Sequence, residues 1–290
     1  MSADLAPAAA TGVPVNRNRA PDLAPAPATI YLPDDPPWKP RVLQTLAAQA
    51  LLRTVPAADA CLRAGPAIVG GLARGSLDVM RAARVRRAET GEPYLFVDRA
   101  YFNGGHQYGA AHPNPRYRFV WNAYQHHAVD ARRAADLRRF ERTGLRLEAW
   151  RRGGRHVLVC PPATPEVCAL FNLFTWADDT LQRLRQLTDR PLRVRPKGDP
   201  TPLMTDLADA HAVVTPLSTV AISAALAGVP VFVHAESAAA PVGSTDLDRI
   251  ETPARGDRAL WAAALAWGQF EMSEIASGVA WGVLKEDVTP

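Results

Sequence analysis

Lysine is scarce in this chain. Of its 33 basic residues only Lys39, Lys197 and Lys285 are lysines, and the remainder are arginines. An arginine excess is typical of phosphate recognition, because the planar guanidinium donates two parallel hydrogen bonds. It is equally typical of a GC-rich coding genome, which the abundant alanine and proline also indicate. We favour the genomic explanation for most of these arginines, in a chain whose net charge is only +4.

Cysteine and long apolar runs are rare as well. The chain has three cysteines and no CxxC pair: Cys61, Cys160 and Cys168. This odd count disfavours a disulfide framework and a zinc site, and it favours a reducing compartment. No uncharged apolar run reaches the roughly 18 residues that cross a bilayer. The first residues also lack the basic and apolar regions of a secretory signal, so we expect a cytoplasmic protein.

What remains is the composition of a globular protein. Apolar residues make up 48% of the 290 residues and charged residues 21%, which fits one or two domains. Residues 1–28, rich in alanine and proline, predict a disordered tail. Beyond them strands alternate with helices, which is typical of parallel sheets. We therefore predict an α/β fold of two facing Rossmann-like parallel-sheet halves, residues 29–150 and 151–256, with C-terminal helices in 257–290 that pack across both.

Apolar periodicity predicts the individual elements. It indicates a helix over residues 40–54, a buried strand over 94–98 and a helical segment over 257–283. A strand over 156–160 is followed by a proline-rich stretch that we expect to be a loop. Ligands of open parallel sheets bind at the carboxyl ends of the strands, so the residues after each strand are the candidates for a site.

Two such loops in the second half carry groups suited to phosphate. Ser218 and Thr219 begin a predicted helix, where hydroxyls and free backbone N–H groups favour an anion. Capping the helix is the commoner role of such a serine. Arg195 and Lys197 follow a strand that ends at the same edge of the sheet. A solvated basic loop explains these two cations equally well.

Asp98 ends a strand of the first half and is the candidate general base. A carboxylate at this position could accept a proton from a substrate hydroxyl. Helix capping, or an ion pair with Arg99, Arg116 or Arg118, is the slightly more frequent explanation of such a residue.

A glycine-rich turn follows another predicted strand of the first half and contains Gly70, Gly71 and Arg74. Its spacing is not GxGxxG and it lacks the lysine of a P-loop, so a dinucleotide or nucleoside-triphosphate fingerprint is not supported. A backbone that a ligand approaches closely is one interpretation. A plain strand-to-helix connection is the commoner one.

No pattern of metal ligands is present. Four histidines match no tight metal signature: His106, His112, His126 and His127. Asp178 and Asp179 lie inside a predicted helix, where we interpret them as surface or capping residues. The sequence therefore predicts no metal site.

Three short segments resemble the capsule polysaccharide biosynthesis family, whose fold is of the GT-B glycosyltransferase type. Residues 98–102 (DRAYF) resemble its E-[DRN]-G-[FY] turn, with Asp for Glu and Ala for Gly. Residues 195–200 (RPKGDP) stand where the family has a K-P-H-P-like strand end, without the histidine. Residues 217–231 (LSTVAISAALAGVPV) are similar to its N-S-T-v-x-x-x-A-l-x-x-x-P-V block. The chain also resembles a group of uncharacterised tailed-phage proteins, over residues 94–102, 218–232 and 274–281.

The resemblance implies that the chain is a glycosyltransferase that uses a nucleotide-sugar donor and no metal or further cofactor. Asp98 would then be the base for the acceptor hydroxyl. The residues implied to hold the donor are Arg195, Lys197, Ser218, Thr219 and Glu236, the last on the ribose. The residues expected on the acceptor side are Gly70, Gly71, Arg74 and Tyr101.

The acceptor and the activity itself have alternatives. The acceptor is either a polysaccharide or, as the phage resemblance implies, a modified pyrimidine hydroxyl in DNA. An arginine-rich stretch at 131–155 favours a polyanion only mildly. A sugar-nucleotide epimerase is the nearest enzymatic rival. The departures at Ala100 and Asp199 also motivate a non-catalytic nucleic-acid or partner-binding protein with a decayed site.

Overall fold

The computed structural model contains two sheets, each at the centre of one lobe. It describes residues 27–33, 38–58, 61–72, 75–102, 115–130, 134 and 136–286. Ten strands divide into a six-stranded sheet in the first lobe and a four-stranded sheet in the second. Among these described residues, no helix is long and apolar enough to cross a bilayer.

The sheet of the first lobe is mostly parallel. Its strands are β1 (Thr29–Leu32), β2 (Arg53–Pro56), β3 (Ala67–Gly70), β4 (Tyr94–Arg99), β5 (Arg116–Trp121) and β10 (Gln269–Glu271). Their spatial order is β10-β5-β4-β3-β1-β2. The four strands from β4 to β2 are parallel, whereas β5 is antiparallel to both β4 and β10. These strands are rich in β-branched and aromatic side chains, which suit a sheet covered on both faces.

The sheet of the second lobe is entirely parallel. Its strands are β6 (His156–Val159), β7 (Leu192–Val194), β8 (Ala210–Val214) and β9 (Val231–Phe232). The order β7-β6-β8-β9 requires crossover connections, which helices provide. The carboxyl ends of β6, β7 and β8 point toward the first lobe, where their loops meet the end of β4.

Helices cover both faces of each sheet. The helices described are α1 (Trp38–Ala50), α2 (Ser76–Thr90), α3 (Arg138–Glu141), α4 (Pro165–Phe171), α5 (Trp176–Leu187), α6 (Leu203–Leu207), α7 (Val220–Leu226), α8 (Ala259–Trp267), α9 (Met272–Ala276) and α10 (Val279–Glu286). In the first lobe α1 packs on α9 and α10 at one face, and α2 covers the other. In the second lobe α7 and α8 share one core and α5 covers the opposite face.

The chain visits the first lobe twice. It leaves after β5 and builds the whole second lobe, up to α8, whose Trp261 and Leu265 lie in the second lobe's core. It then returns as β10, which pairs with β5, and Phe270 and Ile275 join the core of the first lobe. The second lobe is therefore inserted into the first.

The predicted fold class, two facing α/β halves with a C-terminal helical segment, is confirmed, and three predicted elements are corrected. The helix expected over 40–54 ends at Ala50, because Leu51 adopts a φ of 53° and the chain then enters β2. The helical segment over 257–283 is interrupted by β10. The loop expected after β6 contains α4, which begins at Pro165. Proline is tolerated there because the N–H groups of a helix's first turn have no acceptor within the helix.

Several sequence predictions concern residues outside the described part of the chain. They include residues 1–26 of the predicted tail, Arg74, His106 and His112. Ala28, which we assigned to the tail, is buried in the core of the first lobe beside Ile30. That core therefore begins before the residue we predicted.

Candidate functional site

A cleft of about 550 Å³ lies between the two lobes. Its first-lobe wall is formed by the end of β4, by β5 and by the residues after β5. Its second-lobe wall is formed by the loops after β6, β7 and β8. The strand tips of both sheets thus converge on one space, as expected for ligand binding in open α/β sheets.

Six of the residues selected from the sequence line this cleft: Asp98, Tyr101, Arg195, Lys197, Ser218 and Thr219. They come from three separate stretches of the chain, and the fold brings them together from opposite walls. Their roles in catalysis or donor binding stay predictions, but their shared location is now a structural observation.

Asp98 lies near the carboxyl end of β4, and two contacts orient its side chain. Its Oδ1 accepts the backbone N–H of Arg99 at 2.8 Å. Its Oδ2 lies 3.4 Å from a terminal nitrogen of Arg118, the residue opposite it on β5. About a quarter of the Asp98 side chain remains exposed, at 26%. The carboxylate is therefore oriented and still accessible from the cleft.

Arg195 is tied into its own lobe. Its guanidinium pairs with the buried carboxylate of Asp206 and donates to the carbonyl of Thr201 at 2.7 Å. Arg193 approaches the other oxygen of Asp206 at 2.5 Å. Sequence reasoning missed Asp206. The spacing of Arg193 on β7 and Arg195 directly after it was a usable signal. Residues two apart in an extended segment point to the same side, so one acidic residue can pair with both.

Lys197 and the two hydroxyls complete the second-lobe wall. Lys197 is exposed, and the described residues provide it with no ion pair. The Ser218 Oγ accepts the backbone N–H of Val220, the first residue of α7, at 3.2 Å. The N-cap of α7 is Thr219, whose side chain makes no capping hydrogen bond, so the capping role considered for Ser218 is not observed. Thr219 is exposed, and the buried Ser223 also reaches the cleft one helical turn further on.

Three selected residues lie elsewhere. Glu236 is not among the described residues that line the cleft. Its two carboxylate oxygens accept hydrogen bonds from Arg84 at 2.8 and 2.9 Å. Burial opposes the charge of Glu236, but this hydrogen bonding outweighs it and lowers the pKa of the carboxyl. Gly70 packs against Leu43, and Gly71, with a φ of 62°, packs against Lys39. Glu236, Gly70 and Gly71 are therefore not among the residues that line this cleft, and their predicted roles in donor and acceptor binding stay predictions.

Cys160 is the buried thiol that lines the cleft. Burial raises its pKa to about 12, with a small opposing effect of Arg195. The thiol stays protonated at neutral pH and lacks the thiolate that a nucleophile needs. A packing role fits this cysteine, as expected from the sequence.

No metal cluster accompanies the cleft within the described ranges, where His, Cys, Asp and Glu side chains form no group of three or more able to hold an ion. The arginine-rich stretch at 131–155 is engaged inside the chain in part, and Arg142, Arg146 and Arg152 are exposed. Arg138 pairs with Asp136, Arg139 with Glu274, and Arg151 donates to backbone carbonyls. Those described arginines do not form a free basic face.

Comparison with known proteins supports the architecture. No family model and no curated protein sequence matches the chain. Among solved structures it is similar to KpsC of Thermosulfurimonas dismutans, a beta Kdo 2,7 transferase, with a TM-score of 0.50 and 12% identity over 89% of this chain and 99% of that one. The fold is GT-B-like. The beta Kdo 2,4 transferase KpsC of the same organism gives a TM-score of 0.47 at 11% identity, over 88% of this chain and 98% of that one.

Proposed function

We propose that the protein is a glycosyltransferase that moves a sugar from a nucleotide-sugar donor to a hydroxyl acceptor without a metal ion. One observation carries the proposal. An accessible carboxylate, Asp98, faces a lysine and two hydroxyl residues across one cleft between two α/β lobes. The shared fold with KpsC, a transferase by name, supports the same class of reaction.

Asp98 would act as the general base. Its carboxylate takes the proton of the acceptor hydroxyl while that oxygen forms a bond to the anomeric carbon of the donor sugar. The bond from the anomeric carbon to the nucleotide phosphate breaks, and its electron pair leaves on the phosphate. The hydrogen bond from the Arg99 N–H fixes the direction of the carboxylate.

The second-lobe wall would stabilise the departing phosphate. Lys197 supplies a positive charge that no described acidic residue offsets, and Ser218 and Thr219 supply hydroxyl donors at the start of α7. Preorganised donors of this kind act on charge as it develops in the transition state. Arg195 contributes less net charge, because Asp206 neutralises it, and we assign it the shaping of the loop that carries Lys197.

A saccharide fits the acceptor better than DNA does. The DNA alternative drew mildly on the arginine-rich stretch, where Arg138, Arg139 and Arg151 have partners within the chain. Arg142, Arg146 and Arg152 are exposed there, so the described part of this stretch offers fewer cations to a polyanion than the sequence alone indicated. Duplex recognition rests on free cations that contact phosphates. The fold likeness to KpsC points in the same direction.

The test begins with the donor. A thermal-shift screen of uridine, guanosine and cytidine nucleotide sugars identifies it, because a ligand raises Tm by mass action. We expect Lys197→Ala to weaken the nucleotide that binds by about tenfold, as for other hydrogen bonds to charged groups. If no nucleotide shifts the wild type, the proposed function fails.

The second step tests the base. Asp98→Asn should not weaken donor binding and should lower the transfer rate by roughly a hundredfold or more. Asp178→Asn is the matched control, since that exposed aspartate lies on α5 away from the cleft. Full transfer by Asp98→Asn would remove Asp98 from the mechanism. Donor turnover without acceptor would indicate the epimerase instead.

A further inference from the structure

Three arginines of the described part of the chain are buried: Arg118, Arg139 and Arg258, with 3%, 6% and 7% of their surface exposed. Arg139 donates to two backbone carbonyls and to both oxygens of Glu274. Arg258 donates to two backbone carbonyls. These two guanidinium groups are satisfied as buried charges normally are.

Arg118 is not satisfied in this way. Its ion pair is a single contact of 3.4 Å with Asp98, and within the described part of the chain its Nε has no hydrogen-bond partner. A buried charge is costly unless it is paired and fully hydrogen-bonded. The unpaired and buried Nε of Arg118 therefore needs an explanation that the described residues do not supply.

Three aromatic rings hold the guanidinium in place. The Arg118 Cζ lies 4.9 Å from the ring centre of Tyr101, 5.2 Å from that of Tyr124 and 5.7 Å from that of Phe96. Such rings attract a cation but carry no charge that would neutralise it. Burial raises the pKa of Tyr124 to about 12, so this phenol stays neutral at physiological pH. The cage fixes Arg118, and Asp98, at 3.4 Å, is the one carboxylate that the described residues place against its charge.

The position of Arg118 defines where a partner would lie. The residue lines the cleft and stands directly across from Asp98 in the register of β4 and β5. An anion bound to Arg118 would lie beside the proposed base, at the reacting end of the substrate. A planar guanidinium suits an anion in which two oxygens share the negative charge.

We propose that Arg118 is a substrate-binding residue that takes an anionic group, a carboxylate or a phosphate, held against Asp98. The proposal rests on the proposed function and adds a requirement to it: besides the donor phosphate at the second-lobe wall, the substrates carry a second negative charge next to the reacting centre. The charge comes either from a sugar carboxylate or from a phosphate, and the experiment separates these sources.

Calorimetric titration at fixed ionic strength provides the test, with glucuronate, inorganic phosphate and neutral glucose as probes at millimolar concentrations. We expect wild type to bind at least one of the two anions in preference to glucose. Arg118→Gln should weaken that anion by about tenfold or more. Arg152→Gln is the matched control, because this exposed arginine lies outside the cleft and should leave binding unchanged.

Two further variants keep the result decisive. Arg118→Lys retains the charge but cannot donate two parallel hydrogen bonds, so it should also weaken anion binding. It replaces Arg118→Gln in the test where Arg118→Gln does not fold. Asp98→Asn removes the ion pair of Arg118 and should raise the affinity for the anion. If both Arg118 variants are unfolded, the titration of Asp98→Asn tests the proposal on its own.

The proposal is overturned by wild-type affinity in a folded Arg118 variant, by no tightening in Asp98→Asn, or by no anion binding to wild type. Loss of glucuronate binding alone assigns the site to a sugar carboxylate. Loss of phosphate binding alone assigns it to a phosphate. Nucleotide binding through Lys197, measured on the same variants, shows whether the proposed function survives a negative result.

Discussion

Asp98 and Arg118 show what the sequence can reveal about a single residue. The end of a predicted strand was enough to select Asp98, and Arg118 was considered only as its ion-pair partner. The pair is present, at 3.4 Å. The aromatic cage around Arg118 was not predictable, because Phe96, Tyr101 and Tyr124 meet only after β4 and β5 pair and the chain after β5 turns back.

The cysteines allow a prediction at the same scale. Cys61 is exposed, whereas burial raises the pKa of both Cys160 and Cys168. Because the thiolate is the reactive form, we expect one thiol to react rapidly with a thiol-specific disulfide reagent in the native protein and three after unfolding. Absorbance of the released thiolate measures both numbers. Cys61→Ser should remove the rapid phase, and a second rapid thiol would contradict the assignment of Cys160 as buried and inert.

Long, strongly patterned elements were predictable and short ones were not. The predicted helix that contains Asp178 and Asp179 is present as α5 (Trp176–Leu187), which extends over three turns. The strands β2 and β10 were missed because three or four residues carry too little periodicity, and each is stabilised by a partner far away in the sequence. The same distance hid Arg84 as the partner of Glu236.

The helix α3 illustrates how a short element depends on one side chain. Arg139 donates to the carbonyls of Ala266 and Gln269 and to the carboxylate of Glu274, and it packs on the ring of Phe270 at 4.8 Å. It thereby joins α3 to α8, β10 and α9. Four helical residues are too few to be stable alone, so this clamp holds the segment.

Removal of the clamp should be costly. We expect Arg139→Ala to lower the free energy of unfolding by about 3–5 kcal/mol, because the substitution leaves Glu274 and two carbonyls without their buried donor. Urea denaturation followed by circular dichroism measures the change. Arg138→Ala is the neighbouring control, since that side chain is 85% exposed and should have little effect. Equal stability of the two variants would show that α3 is held by other contacts.

At the scale of the whole molecule, several contacts join the lobes behind the cleft. Gln125 of the first lobe donates to the carbonyl of Leu217 and accepts the N–H of Ala238, both in the second lobe. Leu217 directly precedes the hydroxyl pair of the cleft wall. The loop that would hold the donor is therefore anchored to the opposite lobe.

The ion pair of Arg84 and Glu236 also joins the lobes and makes stability depend on pH. Because the pKa of Glu236 is lowered on folding, its contribution is present above the usual value of 4.5 and is lost as the pH falls through the lowered pKa. With 29% and 27% of the two side chains exposed, solvent limits the contribution to about 1 kcal/mol.

We therefore expect Glu236→Gln to lower Tm by a few degrees at neutral pH, and the difference from wild type to disappear under acidic conditions, where the wild-type carboxyl is also protonated. Scanning calorimetry across this pH range measures it. Glu89→Gln, at an exposed position of α2, is the control. A difference that persists in acid would mean that the substitution acts through packing and not through the charge of Glu236.

The insertion of one lobe into the other governs how the chain assembles during synthesis. Arg116 of β5 pairs with Glu271 of β10, 155 residues later. Until the ribosome has delivered that later segment, β5 presents an open row of amides and carbonyls to other nascent chains. Folding of this protein is therefore a vectorial process with a long vulnerable interval, and its yield depends on keeping that edge unoccupied.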